Sequence, residues 1–434
     1  MTSIKIDKNY LNTVISWRRD FHQYPEVGWL EFRTASLIAS YLDDWNYDVK
    51  AGKEVITSER LGVPEQQVLD ASYDMAKREG APIYWLEKMK GGFTGVVATL
   101  DTGKPGPTIA FRVDIDALPI LESAANSHVP SQLGFRSKHE GAMHACGHDS
   151  HAAIGLGLAQ QLMERKEMLK GKIKIIFQPA EEGARGGSVI AESSHLDDVD
   201  FFMALHIGTG IPKGTFVAGT DGFLASTKYD VKFHGVAAHS GAFPERGKNA
   251  LLASAQATLA LHSLPPHSDG VSRVNVGKLL AGTGRNIIPS YAEAQFEIRA
   301  ETSEINAFYE QKVEQIIQGA ATMYGVEATL EKVGYAINIP SNRELAGILA
   351  KAASKTSIQQ VIDFNEFKAG SEDATFLMKK VQEQGGQACY SIIGTTLAAG
   401  HHHECFDIAE DDMLTAIEIW LNTVFQIYEE ANET

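Results

Sequence analysis

Short apolar runs rich in β-branched residues alternate with helix-like stretches along the first half of this chain, and several end in acids or histidines. Residues 95–100, 108–115, 172–177 and 201–205 read as buried strands, and 152–163 has helical periodicity. That alternation predicts an α/β architecture, a largely parallel sheet buried under helices. Ligands of such sheets sit beyond the carboxyl ends of the strands. Asp114 and Asp116, Glu181 and Glu182, and His206 all stand at such ends.

The rhythm changes between residues 223 and 334. Two strand–helix units, 228–234 with 249–262 and 292–298 with 305–324, predict a small two-layer α+β domain inserted into the larger one. In its last helix Ile305, Phe308, Val313, Ile316, Ala320 and Met323 fall on one face. Helices at 343–354 and 372–380, a strand at 388–393 and an amphipathic helix at 413–428 then restore the first pattern. A chain of 434 residues exceeds one ordinary core. The expected division is a large domain from 1–222 and 335–434, with 223–334 inserted. Residues 50–92 form a polar insertion of their own, helical around 72–79 and without an assignable chemical role. Residues 1–21, which include Trp17, read as an amphipathic helix.

Composition excludes several partners. The net charge is -16, from 39 basic and 55 acidic residues, with no basic block, so neither nucleic acid nor an anionic membrane surface is expected to bind. No apolar stretch is long enough to span a bilayer and the amino terminus lacks a secretory pattern. Cys146, Cys389 and Cys405 are too few for a disulfide scaffold, and a cytoplasmic location is expected.

The densest chemistry is His144–His151, which holds three imidazoles, the Cys146 thiol and the Asp149 carboxylate. These are the groups that bind divalent transition metals. Cys146 and His148 can face one way because Gly147 permits a turn. The density of ligand types outweighs the plainer reading of a buried cysteine beside surface histidines. His144, Asp149 and His151 then read as groups that orient the ligands. Adjacent residues on extended backbone point apart, so of Glu181 and Glu182 one can hold metal while the other takes a proton from water. Alone, that pair could equally be a solvated acidic turn. His206 alone would read as a core histidine, and only its company makes it a ligand. The triplet His401-His402-His403 is internal, so it is no purification tag, and a solvated loop is its plain alternative. Two glycine-rich loops of the inserted domain carry His239 and Asn286 beside Arg285, all able to donate to an anion. Neither a phosphate-binding loop nor a nucleophilic serine elbow occurs.

Seven runs occur in the order seen in the metal-dependent aminoacylase/carboxypeptidase amidohydrolases. They are RVDIDALP from Arg112, HACGHDSHA from His144, QPAEEG from Gln178, ALH from Ala204, GVAAHSGAFPERGKNAL from Gly235, GTGRNIIP from Gly282 and HHHECFDI from His401. The chain resembles that family over essentially its whole length. Within it, the insertion, residues 91–95 and residues 369–374 are most similar to A-type chains of the branch that hydrolyses p-aminobenzoyl-glutamate. The resemblance implies a catalytic α/β/α domain and a lid that also serves dimerisation. It implies two divalent metal ions per chain, zinc or manganese, with Cys146 bridging them and His148, Glu182 and His206 as ligands. The last ligand would be His402, four residues before Phe406, with His401 the runner-up. Glu181 would be the general base and acid, and Asp116 the carboxylate that orients a catalytic group. His239 and Asn286 would bind substrate or oxyanion, often across a dimer interface, and Arg299 could hold a substrate carboxylate. The implied substrate is a small N-acyl amino acid, foremost p-aminobenzoyl-glutamate, cleaved to p-aminobenzoate and glutamate. The implied partner is a second copy, or a related subunit, docked through the lid. The alternatives are a general aminoacylase or dipeptidase, and a non-catalytic metal-binding subunit. The last would lack a ligand or the base, and none is missing.

Overall fold

The runs read as strands from sequence lie side by side in an eight-stranded sheet of the computed structural model, which describes residues 4–366 and 370–431. In chain order the strands are β1 (Asp48–Ala51), β2 (Val96–Asp101), β3 (Thr108–Asp114), β4 (Lys172–Gln178), β5 (Phe201–Ile207), β6 (Thr215–Asp221), β7 (Ala225–His234), β8 (Ser272–Ala281), β9 (Tyr291–Ala300), β10 (Glu327–Ala336), β11 (Gln360–Glu366) and β12 (Gln387–Ile393). The large sheet runs β1-β2-β4-β3-β5-β12-β6-β11. Its centre, β4-β3-β5-β12, is parallel, while β1, β2 and the β12–β6 pair are antiparallel. Parallel central strands are covered on both faces, which is why β3 is buried along its whole length.

Helices Tyr10–Gln23, Phe32–Asp44, His148–Met163, Arg343–Ala353 and Asp412–Glu430 share one apolar core with the sheet, where Trp420 lies against Phe111. Helices Gly186–Ala191 and Ala374–Glu383 pack in a separate core with Phe202, Ala204 and Ile176. The second sheet, β10-β7-β9-β8, is antiparallel and backed by Ala250–His262 and Ser303–Tyr324, which makes it a two-layer α+β unit.

A buried ion set fastens the amino-terminal helix to the helix that carries His148. Arg18 Nε donates to Asp149 Oδ2 at 2.7 Å and its Nη2 to Asp407 Oδ1 at 2.7 Å, and His22 bridges Asp149 and Glu122. Removing one partner of such a set leaves an uncompensated charge and costs about 3–5 kcal/mol. The set therefore fixes where the ligand-bearing end of that helix points.

Several expectations are corrected. The first helix begins at Tyr10, not at the amino terminus. Ile4 and Ile6 instead donate their amides to Asn422 and Glu418 of the last helix, and residues 1–3 lie outside the described residues. The second sheet has four strands where two were expected. The 50–92 segment begins inside a sheet strand, since Lys50 and Ala51 pair with Val97 and Val96. Its helices Gln66–Arg78 and Ile83–Lys88 bury Leu69, Ala76, Trp85 and Leu86 in the main core. Of the run 369–374, Ala369 lies outside the described residues.

Candidate metal centre and active site

Three neighbouring strands, β4, β3 and β5, end on the same side of the sheet and deliver the expected groups to one place. Cys146 enters from the loop before helix His148–Met163, whose first residue is the second ligand candidate. Gly147 makes this possible. Its φ of 95° lies in the left-handed region, and a Cβ there would stand 2.7 Å from Ile207 Cγ2.

Cys146 sits between two groups of donors. With His148 and His206 it forms one buried cluster, and with Glu182 and His402 another, the ligand atoms of each lying within 4.8 Å of one another. A shared sulfur between two donor sets is the arrangement a bridging ligand requires. The donors also fit a metal by what they lack. His148 Nε2 and Glu182 Oε1 are buried without a hydrogen bond, and buried polar atoms are rarely left so unless something else satisfies them. The opposite nitrogens are fixed by backbone, since His148 Nδ1 donates to Asp116 O at 2.9 Å and His206 Nδ1 to Ile207 O at 2.8 Å. That turns each Nε2 into the cluster, His206 Nε2 standing 3.4 Å from Cys146 Sγ, as in many histidine metal sites. Burial and the neighbouring His151 and His401 hold His206 well below the usual imidazole range, so it is neutral. Burial, with Glu182 beside it, pushes the Cys146 thiol well up.

The histidine triplet divides cleanly. His402 Nε2 stands 3.3 Å from Glu182 Oε1. Its backbone is left-handed at φ 65°, a conformation costing a non-glycine residue roughly 1–2 kcal/mol, and its amide is tied to Ala145 O at 2.7 Å. His401 Nε2 is satisfied by Ile207 O at 3.1 Å, and His403 Nδ1 accepts from Cys405 N at 3.0 Å.

The glutamates do not lie on extended backbone, as expected from sequence, but in a turn. β4 ends at Gln178, and Ala180, Gly183 and Ala184 all take positive φ. Asp116 holds the turn in place: Oδ1 accepts from Glu181 N and Oδ2 from Glu182 N, both at 3.0 Å. Both carboxylates consequently approach His148 instead of pointing apart. Asp116 thus positions the two glutamates and the imidazole together.

Burial, then Glu372, Glu182 and Asp373, push the Glu181 carboxyl well above the usual range. Sequence reasoning did not single out Glu372 and Asp373. They precede helix Ala374–Glu383 and are held by buried Arg112, whose Nη1 donates to Asp114 Oδ2 at 2.7 Å and whose Nη2 reaches Asp373 Oδ1 at 3.1 Å and Glu372 Oε1 at 3.2 Å. Asp373 Oδ2 also accepts from Gly187 N at 2.7 Å, and Tyr390 Oη donates to Glu372 Oε2 at 2.5 Å. The signal was present in Arg112, a cation inside an otherwise apolar strand that must find buried acids.

His151 is held with Nδ1 on Asp114 Oδ1 at 2.6 Å and Nε2 accepting from Ile207 N at 3.0 Å. Asp149 turns away to Arg18 and His22. His144 orients nothing: it is buried with neither ring nitrogen hydrogen-bonded, and burial drives its pKa down to about 3, so it stays neutral.

A cavity of about 500 Å³ opens on this cluster. Cys146, Glu181, Glu182, His206, His401 and His402 form one wall, Phe223, Tyr390 and Ile392 an apolar side, and Lys228 and Arg299 of the second sheet reach in. Lys228 was not anticipated. His239 and Asn286 do not line this cavity within one chain. They lie on exposed loops of the second unit, joined where Ser240 N donates to Asn286 O at 3.0 Å. Arg185 links the glutamate turn to the 50–92 segment, donating from Nε to Glu182 O at 3.1 Å and from Nη1 to Gly62 O at 2.9 Å.

The pattern of peptidase family M20/M25/M40 matches residues 110–426. The chain belongs to this family. It is 51% identical over 409 residues to the A subunit of the p-aminobenzoyl-glutamate hydrolase of Escherichia coli (strain K12), covering 94% of each chain. It is 49% identical over 413 residues to the indole-3-acetyl-aspartic acid hydrolase of Enterobacter agglomerans, covering 95% of each. Among solved structures, the aminobenzoyl-glutamate utilization protein of Klebsiella pneumoniae matches with a TM-score of 0.83 at 44% identity over 96% of each chain. A Bacillus subtilis protein described as a dinuclear metal binding peptidase from the M20 family matches with a TM-score of 0.64 at 26% identity, over 98% of this chain and 99% of that one. The expected family, its α/β fold with a second α+β unit, and its class as a metal-dependent amide-hydrolysing enzyme are thus borne out. Among the described residues, no helix is long and apolar enough to cross a membrane.

Proposed function

We propose that this M20-family chain hydrolyses the amide between an aromatic acyl group and a dicarboxylic amino acid, with p-aminobenzoyl-glutamate the leading substrate. One observation carries the chemistry: Glu181 and Glu182 share a turn clamped by Asp116, beside a Cys146 sulfur common to two donor sets. The substrate class is supported by the names of the two relatives, which act on a glutamate and an aspartate conjugate. It is also supported by a cavity that sets Phe223 and Tyr390 near Lys228 and Arg299.

In this reading Cys146, His148, Glu182, His206 and His402 hold two divalent ions, the thiolate favouring zinc over manganese. When bound, such a pair lowers the pKa of water at the site and polarises the scissile carbonyl. Glu181 takes the proton from the attacking water and returns it to the leaving amine. Asp116 keeps the Glu181 and Glu182 amides, and His148, in register. Arg299 meets a substrate carboxylate. Comparing kcat/KM for p-aminobenzoyl-glutamate, p-aminobenzoyl-alanine and acetyl-glutamate tests the substrate: the first is expected to exceed the others by 10-fold or more, about 1.4 kcal/mol. Equal cleavage of the alanine amide would make the enzyme a general aminoacylase.

Residues 1–222 with 335–434 form the catalytic domain of this proposal, and 223–334 a lid that joins two copies, or this chain and a related subunit, in the cytoplasm. The two separate sheets support the division. Exposed Leu251, Leu252, Leu259, Leu279 and Leu280 on helix Ala250–His262 and edge strand β8 support the association. His239 and Asn286, remote from their own cavity wall, would then serve the neighbouring subunit's site. Mixing inactive His239→Ala chains with inactive Glu181→Gln chains is expected to restore part of the activity. A proven mixed dimer that stays inactive rules out sharing between subunits.

A further inference from the structure

Lys228 is a cation of the cavity wall whose chemistry the reaction leaves unused. It projects from β7 directly opposite Glu297 of β9, and directly opposed residues share a face of the sheet. Glu297 is nevertheless committed elsewhere, giving Oε1 to Arg299 Nε at 2.8 Å and Oε2 to Arg299 Nη2 at 3.1 Å. Among the described residues the Lys228 ammonium makes no hydrogen bond and no ion pair within 4 Å. Burial, with Arg299 beside it, lowers its pKa from the usual lysine range, against the pull of Glu297, Glu181 and Asp373. A half-buried ammonium that makes no hydrogen bond or ion pair among the described residues is costly, and this one lines a cavity that a substrate must fill.

We infer that Lys228 is the specificity-determining residue that receives the side-chain carboxylate of the leaving amino acid. The inference rests on the dicarboxylic reading of the substrate given above. The division of labour follows from the two cations. An arginine fork suits a carboxylate of fixed position, and the α-carboxylate lies at the same distance from the scissile bond in every amino-acid amide. Arg299, oriented by Glu297 through Nε and Nη2, is a guanidinium of such fixed position. A side-chain carboxylate varies in reach by one methylene between aspartate and glutamate. A point charge on a flexible four-carbon stem follows both, and Lys228 is held by no acid among the described residues.

The test is calorimetric binding to metal-loaded protein in a Glu181→Gln background, where no turnover intervenes. The probes are p-aminobenzoyl-glutamate and p-aminobenzoyl-glutamine, which differ only in the charge of the distal group. The Glu181→Gln protein is expected to bind the glutamate conjugate about 30-fold more tightly, a typical worth for a charged hydrogen bond. Adding Lys228→Gln should erase that preference by weakening the glutamate conjugate alone, and Lys228→Arg should keep most of it. Unchanged glutamine-conjugate affinity also shows that the variant is folded. A glutamate preference that survives Lys228→Gln overturns the inference, as does equal weakening of both ligands. Absence of any preference in the Glu181→Gln parent overturns the dicarboxylic reading itself, and the inference with it.

Discussion

Glu181→Gln is expected to lower kcat by a factor on the order of 100 or more while the protein keeps its full metal content. Glutamine preserves the shape of the side chain and the Glu181 amide stays on Asp116 Oδ1, so the turn should not move. What is lost is the one carboxylate of the pair that can carry a proton. Glu182 cannot substitute, because its Oε1 faces His402 and the Cys146 donor set. Steady-state kinetics with metal analysis on the same sample decides it. Turnover near the parent level would mean that another group is the base, and Glu372 or Asp373, which share an acidic cluster with Glu181, would be next to replace.

Cys146→Ser should be at least as damaging, through a different quantity. Loss of groups that merely orient ligands weakens metal binding about 10–100-fold, and Cys146 belongs to both donor sets. Its replacement is expected to reduce metal affinity by more than about 100-fold and to empty both positions together. Cys405→Ser is the control, since this cysteine belongs to none of the donor groups found among the described residues. Metal content after dialysis separates the outcomes. A Cys146→Ser protein that retains one tightly bound ion would show that the sulfur serves only one position.

Much of this site was legible because its ligands stand at strand ends, where chemistry-bearing residues interrupt apolar runs. Asp116, Glu181, Glu182 and His206 announce themselves in that way, and Gly147 explains how Cys146 and His148 can face one point. The glutamate turn was misread because period-2 reasoning continues a strand past its end, whereas the turn, with positive φ at Ala180 and Ala184, is held at the Glu181 and Glu182 amides by Asp116, a residue far away in sequence. Lys228, Glu372 and Asp373 were missed for a related reason: each acquires its role from groups on other elements. β8 and β10 escaped notice because both are outer strands whose registers slip, between Val276 and Lys278 and between Lys332 and Gly334, which breaks the alternation. β1 is a short edge strand, and β11 lies at the opposite edge, half exposed. His144 looked like a ligand's support only because it stands two residues from Cys146.

The most direct measurement is an anomalous-difference map from crystals of metal-replete protein. Two peaks are expected, separated by about 3.5–4 Å as in paired-metal hydrolases. Cys146 Sγ should lie between them, with His148 and His206 at one and Glu182 and His402 at the other. A single peak, or peaks away from these five side chains, would contradict the binuclear centre.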